Sequence, residues 1–486
     1  MNAEAKPYRL PGHIVLQEPR LRFGSKDQRD VDIHPMEGLL RFGPYSKDKL
    51  SAVSNPIRIG MIAPAGQTDR LVGQIRELEQ VHQPRERKAY LPQYRGFESI
   101  FGVRLTRGGT GTSIELPADL SDRIAASPTP HIVLAEALPQ ALFALRNLRD
   151  AFDVVVILLT EEWRTGFRGP VGDDFDLHDY VKAYAASEGI CVQFLRDVSA
   201  LDYFCRCSVA WRLGIALYTK AGGVPWVLAD ADPGAAFIGI DYALRSGDGR
   251  DTRFAICCSQ VFDAEGSGLE FVAYEADGVK MFGKNPFLRR EQMLKVMTRS
   301  LAIYQRKHSG DPPKRVVVHK NTEFRDEEVE GVFDAFPNAD NIELVHVQQS
   351  CGWRGILIQK PRQPHGYPCR RGTTFQLGPH EALLWTQGNL PEVAGGKDYY
   401  KEGKGTPEPL MLVRHAGLGP MDDLCRETLA LTKMDWNNDG PYDRLPVTLN
   451  FAGTLATIVK RMPKLEPHCA FRKNGTGASL IPGQSF

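Results

Sequence analysis

Apolar positions recur at helical spacing between residues 176 and 189. Leu177, Tyr180, Val181, Tyr184 and Ala185 stand at i, i+3, i+4, i+7 and i+8, the stripe of an amphipathic helix. Asp176 is placed to cap its start and Gly189 to stop it. His178 and Lys182 are four apart and share another face of that helix. Residues 190–195 then read as a strand, with Gln193 on the face opposite Val192 and Phe194. A second helix, from about 204 to 219, ends at Lys220 and stops at Gly222-Gly223.

Helical and strand periods alternate through the rest of the chain. Residues 34–46 carry the Gly and Pro punctuation of strands and loops. Residues 57–63 read as a short buried strand, 71–81 as a helix and 97–105 as another strand. The stretch 107–113, RGGTGTS, lacks the GK[ST] of a phosphate-binding loop and reads as a connection. Residues 131–160 give a helix and then a buried strand. This alternation predicts an α/β fold with a mostly parallel sheet. Pro225 to Pro233 marks a boundary. Beyond it three strands are expected at 237–244, 252–262 and 269–276. A long helix opened by Pro286 follows, then a buried strand at 315–319 and a helix at about 326–335. Further strands are expected at 342–350, 373–378, 382–388 and 410–416, with helices at 420–432 and 450–460.

The chain of 486 residues has room for two or three cores. Hydrophobic content of 42% and charged content of 24% are those of a globular protein. The first residues do not read as a signal peptide, and the longest apolar run is too short for a bilayer, so a cytoplasmic protein is expected. None of the nine cysteines has CxxC spacing, which predicts buried or incidental thiols. Net charge is +1, against a nonspecific nucleic-acid coat. Between Lys280 and Lys320, however, eleven Lys or Arg face only Glu291 and Asp311. The tail adds Lys460, Arg461, Lys464, Arg472 and Lys473. Such a run is ordinarily a solvated face; two of them in a near-neutral chain also raise the expectation of a groove for a phosphate backbone.

His178, Lys182, Gln193 and Lys220 are cations and hydrogen-bond donors of the kind that hold a terminal phosphate. Spacing alone favours the plainer reading, four ordinary polar residues on solvated helix faces. The order of the set is more specific. A His four residues before a Lys, a Gln eleven residues on, then a Lys before Ala-Gly-Gly, resembles the MID domain of Argonaute proteins. Further stretches resemble, in order, an Argonaute PIWI domain: VVVHKNTEFRDEEVEG (316–331), TFQLGPHEALLWTQG (374–388), LVRHAGLGPMDDLCRETLALTKMDWNN (412–438) and LPVTLNFAGTLA (445–456). The resemblance covers most of the chain from about residue 10. It implies a Rossmann-like MID domain over 1–228, including an extended N-terminal segment, and a ribonuclease-H-like PIWI domain over 229–486. It also implies that His178, Lys182, Gln193 and Lys220 hold the 5′ phosphate of a guide strand. A Mg²⁺ ion held by the C-terminal carboxylate of Phe486 would assist them.

A ribonuclease-H-like nuclease needs three or four carboxylates around two metals about 4 Å apart. Asp241 stands where the first belongs. The second position falls on Asn321 and the last on Gly453. An amide is a poor ligand for a hard cation and glycine offers none. Glu323, Asp326 and Glu327 read as solvated residues rather than substitutes. The implication is a catalytically inactive PIWI, no enzyme by itself. The length is that of a short prokaryotic Argonaute, without N and PAZ domains. That group implies a partner bearing an APAZ segment and an effector: a sirtuin-like or TIR NADase, or a nuclease. The implied role is antiviral defence. A small guide, RNA in this reading, pairs with single-stranded target DNA and switches on the partner in a heterodimer, with possible higher oligomers. One alternative is an active guided nuclease using Asp241 and unrecognised ligands. Another is an α/β protein that binds a small molecule between its halves.

Overall fold

The structure is a computed structural model. It describes residues 12–24, 29–47, 53–246, 253–263, 268–276, 279–283, 285–360, 363–400, 405–436, 440–460 and 470–471.

The first half is built on a parallel sheet. Its centre is the strand pair Ile57–Ala63 (β1) and Val154–Leu159 (β2), with Val192–Arg196 (β3) on one side. Two short strands, Leu105–Arg107 and Ser113–Glu115, pair with successive parts of β1 on the other side. All six residues of β2 are buried. That is the pattern of a strand covered on both faces, and it explains an uninterrupted apolar run. The helix Leu177–Ser187 (α1) lies between β2 and β3 in the chain. Asp176 caps it, accepting from the Asp179 N–H at 3.2 Å. The helix Arg206–Lys220 (α2) follows β3 and is buried along most of its length.

The second half is built on a ten-stranded mixed sheet. Three central strands are parallel: Ala235–Ser246 (β4), Arg315–Lys320 (β5) and Asn341–Gln348 (β6). Antiparallel strands extend this core on both sides. The helix Val447–Val459 (α3) packs across β4 and reaches α1. Gly239 permits this, because a Cβ there would lie 1.9 Å from the Thr448 carbonyl oxygen.

The segment before residue 34 joins both halves. His13–Val15 is an edge strand of the ten-stranded sheet, paired with Thr373–Gly378. Leu21–Arg22 pairs with Val31–Asp32 and Val227–Leu228 in a small separate sheet. One apolar cluster runs continuously from Ile57 and Trp211 to Leu384 and Met421. A buried ionic group reinforces this junction. Glu18 accepts from Arg371 Nε at 2.9 Å and Lys433 Nζ at 2.8 Å, and both cations are fully buried. Among the described residues no helix is long and apolar enough to cross a membrane. Cys191, Cys205, Cys207, Cys369 and Cys425 are buried free thiols, and Cys351 is half-buried.

Three expectations are corrected. The long helix starts at Arg290, and Pro286 lies instead in the short strand Asn285–Phe287 before it. Residues 34–46 contain a helix, Pro35–Phe42, rather than strands. His34 caps it, Nδ1 accepting from the Glu37 N–H at 3.3 Å, and Pro35 sits where no N–H is needed. Residues 97–105 begin with a helical turn, Phe97–Phe101, bounded by Gly96 and Gly102; the strand starts only at Leu105. In the segments after His34 and Gly96 short apolar runs fit either period, and at the first of them the His34 cap decided the outcome.

Candidate functional site

The four residues of the first constellation meet beside the C-terminal end of α2. Lys182 and Lys220 are each 4% exposed, and so is Gln193. Lys220 Nζ donates to Gln193 Oε1 at 2.7 Å, and Gln193 Nε2 donates to the Phe194 carbonyl at 2.8 Å. Val192, Gln193 and Phe194 are all buried, so Gln193 faces a covered pocket rather than solvent. The His178 ring lies 5.1 Å from the Phe194 ring, and its Nδ1 is 3.0 Å from Asp179 Oδ1.

Electrostatically the pocket is built for an anion. Burial drives the Lys182 amine well below the usual lysine range, and the neighbouring Lys220 lowers it further. Burial lowers Lys220 as well. His178 is lowered by burial and by Lys182. Two ammonium groups held together in low dielectric repel each other. An oxyanion placed between them removes the repulsion and accepts their hydrogen bonds. Sequence spacing put His178 and Lys182 on one face; the chain's return through β3 and α2 brought in Gln193 and Lys220.

The residues of the second constellation also converge. Asp241, Asn321 and Gly453 lie on β4, after β5 and within α3. Asn321 Nδ2 lies 3.4 Å from Asp241 Oδ2, and the Tyr242 N–H donates to Asp241 Oδ1 at 2.8 Å. A Cβ built on Gly453 would lie 3.0 Å from Asp241 Oδ2. Gln349, which the sequence pattern did not single out, donates from Nε2 to Asn321 Oδ1 at 3.0 Å. Burial raises the Asp241 carboxyl, and the bonds from Tyr242 and Asn321 hold it down. Among the described residues, the donor set placed against Asp241 is thus an amide and a glycine. It does not fit a pair of divalent cations, which calls for several carboxylates.

Glu323 and Asp326 are exposed, and Glu327 pairs with Lys280. The buried carboxylate of this helix is Glu328, unexposed and 2.5 Å from Lys320 Nζ. It also accepts from Tyr242 Oη at 3.0 Å and from the Leu288 N–H at 3.1 Å. Lys320 Nζ lies over the rings of Tyr242, Phe287 and Phe324. This is an internal structural pair.

That finding revises the basic run between Lys280 and Lys320. The fold supplies carboxylates that the linear sequence did not place beside it. Arg290 pairs with Asp334 at 2.6 Å and with Glu330 at 3.1 Å. Arg315 bonds Glu427 at 2.9 Å, and Lys320 is sealed with Glu328. The exposed pairs are weak and open to competition. Lys320 is withdrawn from any groove. Phe486 and the basic tail residues Arg461, Lys464, Arg472 and Lys473 lie outside the described residues. Within the described residues, Asp176, His178 and Asp179 bring three metal-capable atoms within 4.8 Å of one another.

No protein-family model matches the chain. It is similar to the protein argonaute of Aquifex aeolicus (strain VF5), 22% identical over 330 residues, which are 67% of this chain and 41% of that protein. Among solved structures it is similar to Clostridium butyricum Argonaute bound to a guide DNA and a 19-mer target DNA. That match has a TM-score of 0.61 and 15% identity, over 93% of this chain and 53% of that one. A crystal structure of A. aeolicus Argonaute gives a TM-score of 0.58 and 16% identity, over 95% and 55%. The fold is thus one shared with Argonautes, and the chain spans about half the length of these solved structures.

Proposed function

We propose that this chain is a guide-binding subunit of the short prokaryotic Argonaute type. Residues 1–228 form its MID-like domain and 229–486 its PIWI domain. His178, Lys182, Gln193 and Lys220 hold the 5′ phosphate of a small guide RNA, which pairs with single-stranded target DNA. The observation that carries this reading is the cluster itself: Lys182 and Lys220 are both buried and near enough for the charge of Lys220 to act on Lys182, and the Lys220 ammonium is bonded to Gln193. Burying two like charges is costly unless a ligand repays it. The guide and target DNA bound by C. butyricum Argonaute agree with such a ligand class.

In this reading the chain does not cut its target. Asp241 has for neighbours the Asn321 amide and Gly453 where a nuclease needs carboxylates. Its output passes to an APAZ-bearing effector partner in a cytoplasmic defence complex. A Mg²⁺ ion beside the guide phosphate would add positive charge, with the Phe486 carboxylate as its expected ligand.

The test is binding of short synthetic RNA carrying either a 5′ phosphate or a 5′ hydroxyl. Wild type is expected to prefer the phosphate, and Lys182→Ala/Lys220→Ala to lose that preference. Equal affinity of wild type for both RNAs refutes the pocket. Mg²⁺- or Mn²⁺-dependent target cleavage that is lost in Asp241→Ala would establish the guided nuclease instead.

A further inference from the structure

The chain has six tryptophans. Trp163, Trp211, Trp226, Trp385 and Trp436 are buried, none more than 6% exposed, whereas Trp353 is 42% exposed. Scattered exposed apolar residues are ordinary, but the loop that carries this one is tied down along its length. At its root Gln349 Nε2 donates to Asn321 Oδ1 at 3.0 Å, and Arg444 Nη2 donates to the Gln349 carbonyl. The next three residues converge on one carboxylate. Glu408 Oε1 accepts from Ser350 Oγ at 3.2 Å, the Cys351 N–H at 2.8 Å and the Gly352 N–H at 2.7 Å. Arg354 closes the loop: its Nη1 lies 3.3 Å from the same oxygen and donates to the Trp353 carbonyl at 2.8 Å. Gly352 turns with a φ of 74°, which suits a glycine. The backbone is thus fixed while the indole is left in water.

Resting on the guide-binding reading, we infer that the Trp353 indole is a stacking platform for an unpaired base of a nucleic-acid strand lying along the Asp241–Asn321 cluster. Asp241, Asn321 and Gln349 are each half-buried, so that cluster opens to solvent. Trp353 follows Gln349 by four residues. Its Cα therefore lies within about 14 Å of the Gln349 Cα, a span of about four stacked bases. The chemistry of the loop fits a base with its phosphate. Every base has a flat face that stacks on an aromatic ring, so the contact needs no particular sequence. The guanidinium of Arg354 stands beside Trp353 in the chain and is half exposed, which suits a neighbouring phosphate. A loop already held by the Glu408 carboxylate loses little freedom on binding, and more of the stacking appears as affinity. The base comes either from the guide or from the target, and the same ring would serve both.

The experiment uses the full chain, stripped of nucleic acid, a short RNA with a 5′ phosphate or a 5′ hydroxyl, and a complementary DNA. Acrylamide quenching of tryptophan fluorescence reads Trp353 selectively, because the other five indoles are buried. Trp353→Leu removes the quenchable component and so identifies it. Loss of that component on adding RNA alone assigns the base to the guide; loss only after the DNA is added assigns it to the target. Trp353→Leu is expected to weaken binding of the strand concerned by roughly 5- to 150-fold, the worth of one base–aromatic stack. Trp353→Phe keeps a ring and should retain most of the affinity. Abasic sites placed one at a time along that strand should cost wild type most at one position, where they cost Trp353→Leu nothing. An indole equally quenched with and without both strands, or unaltered affinity in Trp353→Leu, overturns the inference; if wild type still prefers the 5′ phosphate, the pocket reading stands. Binding of the RNA without that preference removes the pocket reading alone, and the quenching still decides Trp353. A wild type that binds neither strand removes both.

Discussion

Lys182→Met is expected to strengthen the protein while weakening its grip on a guide. Lys182 is 4% exposed, and its ammonium is disfavoured by burial and by Lys220. Methionine has nearly the same length and fills the same space without a charge. Exchanging a buried charge for an apolar isostere commonly gains about 1–2 kcal/mol. That gain is worth a rise of about 1–2 °C in Tm for a protein this large. Binding should move the other way. A charge-assisted hydrogen bond to a phosphate is worth about 1.5–3 kcal/mol, so affinity for 5′-phosphorylated RNA should fall by roughly 10- to 150-fold. Affinity for 5′-hydroxyl RNA should hardly change. The pH dependence gives a third readout. A lysine whose folded pKa is lowered binds its proton more readily in the unfolded chain. Stability of the empty protein therefore rises with pH from the lowered folded value up to the ordinary value near 10.4. Lys182→Met should flatten that rise. Thermal unfolding at several pH values, beside a titration with both RNAs, makes the comparison. A variant that is less stable than wild type, or that keeps full preference for the phosphate, would refute the reasoning.

Three further outcomes are expected. Asn321→Asp with Gly453→Asp should give the Asp241 cleft measurable Mn²⁺ affinity by calorimetry where wild type has none; absence of heat in the double variant would argue against the assignment of these positions. Glu18→Gln should cost about 3–5 kcal/mol in denaturant unfolding, because it leaves Arg371 and Lys433 buried without their carboxylate; a loss under about 1 kcal/mol, the range of exposed pairs, would contradict the fully buried network. His34 is 5% exposed, and burial lowers its pKa from 6.5 to about 4. Its stabilising contribution is complete above the unfolded value and declines as pH falls through the interval to about 4, by roughly 3 kcal/mol in all. His34→Asn keeps a capping side chain without titrating in this range, so its acid unfolding midpoint should lie at lower pH than that of wild type; an unchanged midpoint would show that His34 is not a proton acceptor in acid unfolding.

Much of the fold was legible in local pattern. The buried runs at Val154–Leu159 and Arg315–Lys320 and the capped stripe at Leu177–Ser187 each carry their own period, and each folds as that period dictates. The short segments after His34 and Gly96 went the other way, because a few apolar residues fit both periods; after His34 one capping bond tips the balance.

For the candidate site, the sequence by itself determined the residue types and their order: His178, Lys182, Gln193, Lys220, Asp241, Asn321 and Gly453. Only the tertiary structure decided what each one faces. It buried Lys182 against Lys220 and bonded Gln193 to the latter. It set Gly453 against Asp241. It also matched Arg290, Arg315 and Lys320 with acids that lie outside the linear run in which they stand. The reason is physical. Helix and strand periods are set by neighbours a few residues apart, whereas the energy of a charge is set by the dielectric and the charges around it in space. Those surroundings exist only once sheets and helices from distant parts of the chain have packed together.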